Sequence, residues 1–178
     1  MASLAEQAVA AAQPPDLVEL VRGSLEPARG FVVGASDKLV LLHNLSDRID
    51  LDGYSAVRLA DVTWIERELN RKAFYLKALE LKRLQPVAPE GIDLTDMASL
   101  MRSVEARYPL LIIHREKVAA GGCEVGRLKL STGDLYALRF ISPGATWEDD
   151  DRKFRYSDVT RVQFDGEYEN TLALVAGG

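Results

Sequence analysis

Apolar and polar positions in this chain fall mostly into short runs of period two, punctuated by glycine, proline and acidic turns, which is the pattern of many short strands. Residues 123–130 alternate as a strand, Ser131-Thr132-Gly133-Asp134 makes a turn, and 135–141 is a second β-rich run. The same order occurs earlier, with 30–33, a turn over 34–37, and 39–45. A polar excursion follows each hairpin, at 46–53 and 142–151, and leads into further short strands at 54–59 and 153–156. A final strand closes each set, at 62–65 and 159–164.

Helical periodicity occurs in fewer places. Met97, Leu100, Met101, Val104 and Tyr108 share one face of a helix that Pro109 ends and that Asp93 or Thr95 can cap. Residues 66–84 are rich in helix formers, with Glu68 and Lys72 at i, i+4. Residues 167–175 place Tyr168, Leu172 and Val175 on one side. Residues 110–116 add a strand to the second set, whereas their counterpart at 17–22 follows Pro14-Pro15-Asp16, a helix start, and is read as helix.

The two sets align when the chain is slid on itself by 97 positions, as from Asp61 to Asp158. Asp61-Val62-Thr63 then falls on Asp158-Val159-Thr160, Arg58 on Arg155, Asp37 on Asp134, Leu41 on Leu138 and Asp52 on Asp149. At this offset Trp147 stands opposite Asp50 and Phe140 opposite His43. The expected fold is mainly β with helices (α+β): two tandem small barrels joined by a helical linker. Residues 1–84 form the first barrel with its flanking segments, 85–108 the linker and helix, and 109–178 the second barrel with a C-terminal helix.

Composition narrows the partners. Of 178 residues, 47% are hydrophobic and 28% charged, enough apolar surface for packed cores. A formal charge of −5 disfavours a whole-surface polyanion binder, leaving only local basic patches for phosphates. The single Cys123 precludes an intramolecular disulfide and a two-cysteine zinc knuckle, which fits a reducing cytoplasm. The alanine-rich run at 5–12 lacks the basic leader of a signal peptide, and no stretch is apolar enough to span a membrane.

Arg58-Leu59-Ala60-Asp61-Val62 and Arg155-Tyr156-Ser157-Asp158-Val159 resemble the second half of the Sm-like motif, in which an arginine precedes a short corner and a β-branched residue opens the last strand. Gly126-Arg127-Leu128 with its following turn resembles part of the first half. The resemblance implies small Sm-like or SH3-like barrels and RNA as one partner class. The base-reading asparagine of Sm-like RNA binders has no counterpart in 35–42 or 132–139. Over its full length the chain is similar to a group of uncharacterised bacterial proteins sharing Asp52-Gly53-Tyr54, Ile113-His114-Arg115-Glu116, Cys123, Gly126, Trp147-Glu148 and the run at 158–162. That resemblance implies a bacterial cytosolic protein of two-copy layout.

Few residues offer chemistry. His114 with Glu116 two positions on could act as a general base, and Cys123 could join it as a nucleophile. A strand-end histidine beside an ion pair, and a small apolar cysteine, are the favoured readings. Glu148-Asp149-Asp150-Asp151 lacks the spacing of a calcium loop and reads as a solvated acidic loop with Trp147 packed inward. Asp61 and Asp158 read as turn residues. Arg67, Arg71, Lys72, Lys77, Lys82 and Arg83, interleaved with Phe74 and Tyr75, are what single-strand binding uses, but the intervening Glu66, Glu68 and Glu80 favour an ordinary charged helix. No glycine-rich phosphate loop is present.

The expected function is therefore noncatalytic binding or scaffolding, with no cofactor and no metal. A protein partner is favoured, RNA is the alternative, and self-association stays open. A metal-dependent hydrolase is the third reading. The candidate interaction residues are Arg58, Arg155, His114, Glu116 and Trp147.

Overall fold

The computed structural model describes residues 2–149 and 152–177. The chain divides into two compact units, Met1–Glu90 and Gly91–Gly178. It is mostly β with four helices among the described residues, and the strands pair antiparallel without closing on themselves.

The first unit begins with helix α1 (Leu4–Ala11), whose Ser3 cap and Glu6 form a reciprocal capping box. Strands β1 (Leu17–Arg22), β2 (Leu25–Ala35), β3 (Leu39–Leu45) and β4 (Leu51–Arg58) follow, then a 3-10 turn (Leu59–Asp61), β5 (Trp64–Glu66) and helix α2 (Lys72–Lys82). The ladder runs β4-β3-β2-β1-β5, all antiparallel. One core cluster is aliphatic: Ala8 and Ala11 of α1 pack on Val18, Leu20, Val32, Val40, Leu42, Val57, Leu59, Val62 and Ile65.

Residues 17–22 are strand β1, not helix. Their burial alternates from Val18 to Arg22, and β1 is hydrogen-bonded on both sides, to β2 and β5. The backbone at Asp16 accepts from Val32 N–H at 3.0 Å, so tertiary pairing overrides the local helix signal of the two prolines.

The second unit has the same order of elements with one strand more. Helix α3 (Met97–Glu105) precedes β6 (Leu111–His114), β7 (Cys123–Thr132), β8 (Leu135–Ile141), β9 (Trp147–Asp149), β10 (Phe154–Arg155), a 3-10 turn (Tyr156–Asp158), β11 (Arg161–Phe164) and α4 (Glu167–Val175). Here β6 pairs with β7 and β11, and β8 pairs with β7 and with both β9 and β10, so the short β9 and β10 together take the place of β4.

Local details differ from the sequence reading. Asp96, rather than Asp93 or Thr95, caps α3 by accepting from Ser99 N–H, while Asp93 takes the Thr95 N–H. Glu68 lies ahead of α2, and the Lys72 ammonium bonds Asp16 at 2.8 Å and the Arg67 carbonyl instead. The buried stripe of α4 is Glu169, Leu172 and Ala173, with Tyr168 and Val175 exposed. Helix α3 packs on β6 and β7 with Met97, Leu100, Met101 and Val104 buried, so it belongs to the second unit's core. Among the described residues no helix is long and apolar enough to cross a membrane.

Candidate interaction surface

The Asp-Val-Thr segments perform one structural task twice. Each begins on the last residue of a 3-10 turn, and each threonine bonds a carbonyl on its unit's first strand through both N–H and hydroxyl: Thr63 reaches Val21 O (2.8 and 3.1 Å) and Thr160 reaches His114 O (2.9 and 3.1 Å). The corner thereby fixes where the last strand joins the first. Arg58 and Arg155 each end the strand before it, paired with Leu39 and Leu135. Arg58 is half-buried and Arg155 exposed.

In the second unit this corner continues into a polar network. The Thr160 hydroxyl also bonds Glu116 Oε2, and Arg161 Nη2 lies 3.7 Å from Glu116 Oε1, both side chains only about one-tenth exposed. Arg161 Nη2 stands 3.3 Å from His114 Nδ1, and His114 Nε2 stands 2.7 Å from Gln163 Oε1. A guanidinium can only donate, so Nδ1 is the acceptor, Nε2 carries the proton, and the ring is neutral. His114 thus has no lone pair to offer a substrate proton. Its role is to tie β6 to β11.

Cys123 is the cross-strand neighbour of His114 and is exposed. Burial of the thiol group, then the nearby Glu124 carboxylate, push its pKa above the ordinary thiol value, against a smaller opposing pull from Arg161. A nucleophilic cysteine requires the opposite shift.

Trp147 sits elsewhere on the unit. Its ring is partly buried against Leu110, Ile141, Leu172 and Ala173, and the guanidinium carbons of Arg127 and Arg139 lie 5.2 and 5.0 Å from its centroid. Arg127 pairs with Arg139 across β7 and β8, and Arg139 with Asp149 across β8 and β9, so one sheet face carries the whole group. Arg127 Nε donates to the Pro109 carbonyl at 3.0 Å, and Arg139 Nε lies 3.4 Å from Asp149. Two arginines and an indole are thereby fixed on one patch.

The opposite face carries an aromatic cluster of Tyr136, Phe140, Phe154 and Tyr156, with ring centroids 5.1 to 6.1 Å apart. Arg115, bonded to Glu124, stacks over Phe154 at 4.3 Å. Tyr136 is fully buried and, among the described residues, its hydroxyl has no hydrogen-bond partner. Burial, with Glu124 next, raises its pKa far above the ordinary phenol value.

The candidate residues therefore separate. His114 and Glu116 join one network, Trp147 joins another, and Arg58 and Arg155 belong to the corners. Of the acidic loop, Glu148 and Asp149 are strand residues, and Asp150 and Asp151 lie outside the described residues. Among the described residues no three His, Cys, Asp or Glu side chains gather as a metal would require. Arg71, just ahead of α2, lies over the Phe74 ring at 4.7 Å, and within α2 Lys77 pairs with Glu80. The sequence reading did not single out Arg127, Arg139, Arg161 or Gln163 as site residues; Arg127 lies in the alternating run 123–130 and Arg139 in the next β-rich run, but their meeting depends on strand pairing, and nothing local marks Arg161 or Gln163. No family model, no curated protein and no solved structure matches the chain.

Proposed function

We propose that this chain is a noncatalytic binding protein of a bacterial cytoplasm, composed of two tandem copies of a small Sm-like, barrel-like module, and that the Trp147 patch of the second copy contacts a carboxylate-bearing protein partner. Tandem copying is supported by the matching order of helices, strands and 3-10 turn in the two units. The noncatalytic reading is supported by His114, whose ring nitrogens are both committed within the fold, and by the upward shift of Cys123.

The observation that carries the binding reading is the placement of Arg127 and Arg139 over the Trp147 ring. Tryptophan and arginine are the residues most enriched at interface hot spots. Among the described residues, only the Nε atoms of these guanidiniums face a partner within the fold, Pro109 and Asp149, which leaves their terminal N–H groups for bidentate carboxylates. The same stacking disfavours RNA, because a base would have to displace an arginine to reach the ring.

The test uses Trp64→Phe protein, in which tryptophan emission reports Trp147 alone, titrated with an oligoglutamate peptide and with an oligoribonucleotide at two salt concentrations. The expected result is a saturable change with the acidic peptide, weakened at least tenfold by Arg127→Gln with Arg139→Gln. A response to the oligoribonucleotide alone, falling steeply with salt, would replace this reading with the RNA one. No response to either probe removes the patch as a binding surface.

A further inference from the structure

The last strands of the two units use their equivalent side chains differently. Strand β5 pairs with β1 and is the last strand of the ladder. Its residues Trp64 and Glu66 correspond by corner alignment to Arg161 and Gln163, which the second unit locks into the His114 and Glu116 network. In the first unit Trp64 is instead 54% exposed. Beside it lies a cavity of about 380 Å³ between α1 and β5, lined by Glu6, Gln7, Ala10, Trp64, Glu66 and Glu68 among others. That is within the size range of sites that hold a side chain or small ligand.

The charge of this groove is one-sided. Glu6, Glu66 and Glu68 contribute three carboxylates, and the Glu6 carboxyl is held below its usual pKa by the Ser3 N–H and hydroxyl. The lining cation, Arg67, is already engaged within the unit: its Nη2 donates to the Gln7 carbonyl at 3.0 Å, and its Nε lies 3.9 Å from Asp16, so the three carboxylates outnumber it. Short, charged edges are a common defence against unwanted strand pairing. That defence accounts for the glutamates, but not for a half-exposed indole standing beside a cavity.

We infer that the β5 edge and its groove are a docking site for an extended segment of a partner protein carrying lysine or arginine at alternate positions. Such a segment adds antiparallel or parallel to β5, sets an apolar side chain against Trp64 and places its cations among Glu6, Glu66 and Glu68. The site is independent of the Trp147 patch, has the opposite charge preference and resides on the other unit.

The experiment uses full-length Trp147→Phe protein, so that Trp64 is the emitter, with a capped peptide of alternating lysine and valine as probe and its glutamate–valine counterpart as control. The expected outcome is a saturable shift of Trp64 emission with the lysine peptide only, together with at least tenfold slower amide exchange at 64–66. Glu66→Gln with Glu68→Gln should weaken binding at least tenfold while leaving the far-ultraviolet spectrum unchanged. Equal response to both peptides, or no loss in the double variant, overturns the proposal. Concentration-dependent self-association in sedimentation that Trp64→Arg abolishes, with no peptide binding, also overturns it by giving the edge to a second copy. Failure here leaves the Trp147 titration untouched, because emitter and peptide both differ.

Discussion

The two units build one ladder around two different interiors. The first has a cluster of aliphatic side chains with the alanines of α1, and buries Phe31 and a stacked His43–Tyr54 pair apart from it, while the second holds a cluster of four aromatic rings, one of them the buried Tyr136 phenol, with the methionines of α3 and an Arg115–Glu124 pair at its margin. What stays the same is backbone machinery. The threonine corner recurs, and so does the five-residue loop after the third strand, where Ser46 and Ser142 accept from Asp50 and Thr146 N–H and where Ile49 and Ala145 take the same left-handed conformation (φ 58° in each). Bulges interrupt the ladder at corresponding places, Val32/Gly34 and Leu128/Leu130. The comparison teaches that closures and turns specify this fold, whereas the filling is free to vary if its volume is kept.

Glycine gives the harshest way to break that comparison. Gly30 and Gly126 stand at equivalent positions where the second strand crosses the third, and a Cβ there would run into the His43 carbonyl oxygen in one unit and the Arg139 carbonyl oxygen in the other. Neither neighbour is a flexible side-chain end, so the backbone itself must move. Gly126→Ala and Gly30→Ala should each cost about 3 kcal/mol in their own unit. Native-state amide exchange checks this: protection should collapse over β8 for one variant and over β3 for the other. Matching losses confirm that both units depend on the crossing.

The corner separates the units by burial. Thr160 is fully buried and its hydroxyl is shared by the His114 carbonyl and Glu116, whereas Thr63 is exposed and its hydroxyl serves one carbonyl. Thr160→Val should destabilise the second unit by about 2 kcal/mol, since it strips a buried carboxylate of a donor, and Thr63→Val the first by no more than about 0.5 kcal/mol. Urea unfolding monitored at both tryptophans measures the two values. Equal costs would mean that the polar network adds nothing to the shared corner.

Tyr136 gives an effect of opposite sign. Its first-unit counterpart is Val40, and its buried hydroxyl has no hydrogen-bond partner among the described residues. Tyr136→Phe should therefore stabilise the second unit by about 1 kcal/mol. The phenol's folded pKa is raised above its unfolded value near the ordinary 10.0. The unfolded chain then loses its proton first, so stability is fully present below that value and falls as pH rises from there toward the folded pKa. Thermal scans at rising alkaline pH should show a smaller decline for the phenylalanine variant. An identical decline, or a destabilised variant at neutral pH, contradicts the assignment of an unsatisfied hydroxyl.

The strands and corners were legible because strand alternation and the Asp-Val-Thr pair are local signals. The register was not, because a slide by one constant offset hides insertions. The ladder equates Leu20 with Ile113, a shift of 93, then Gly30 with Gly126, a shift of 96, and only at Arg58 and Arg155 the shift of 97. The longer loop between β6 and β7 accounts for the first change, and an extra residue between Trp147 and Arg155 for the second. With these gaps Arg22 falls on Arg115, Gly30 on Gly126 and Ser46 on Ser142, three identities the ungapped slide cannot see. The same correction puts Trp147 opposite Leu51 rather than Asp50, and Phe140 opposite Asn44 rather than His43, since an error of one residue exchanges the faces of a strand. Helix α3, read as a linker, falls on α1 at the shift of 93, with its Asp96 cap on Ser3. The Trp147 patch was half legible for the same reason: Trp147 stands out in sequence, but its arginine neighbours arrive by pairing across strands.

The smallest contrast lies in the paired loops, and it isolates one lysine. Ser46 and Ser142 each accept a backbone N–H at 3.2 Å, so removing either oxygen should cost about 0.5 to 1 kcal/mol if nothing else holds the loop. In the first unit something does: Lys82 Nζ, from the end of α2, donates to the Arg48 and Ile49 carbonyls at 3.1 and 2.9 Å and to Asp50 Oδ1 at 2.6 Å. These bonds are exposed and individually weak, yet they pin the residues that Ser46 shapes. Ser142→Ala should therefore cost the full amount and Ser46→Ala less than half of it. Adding Lys82→Ala should restore the full cost at Ser46, a coupling of a few tenths of a kcal/mol read from a double-mutant cycle in urea. Strictly additive losses would show that the lysine and the serine hold the loop independently, and that the two loops are as alike in energy as they are in shape.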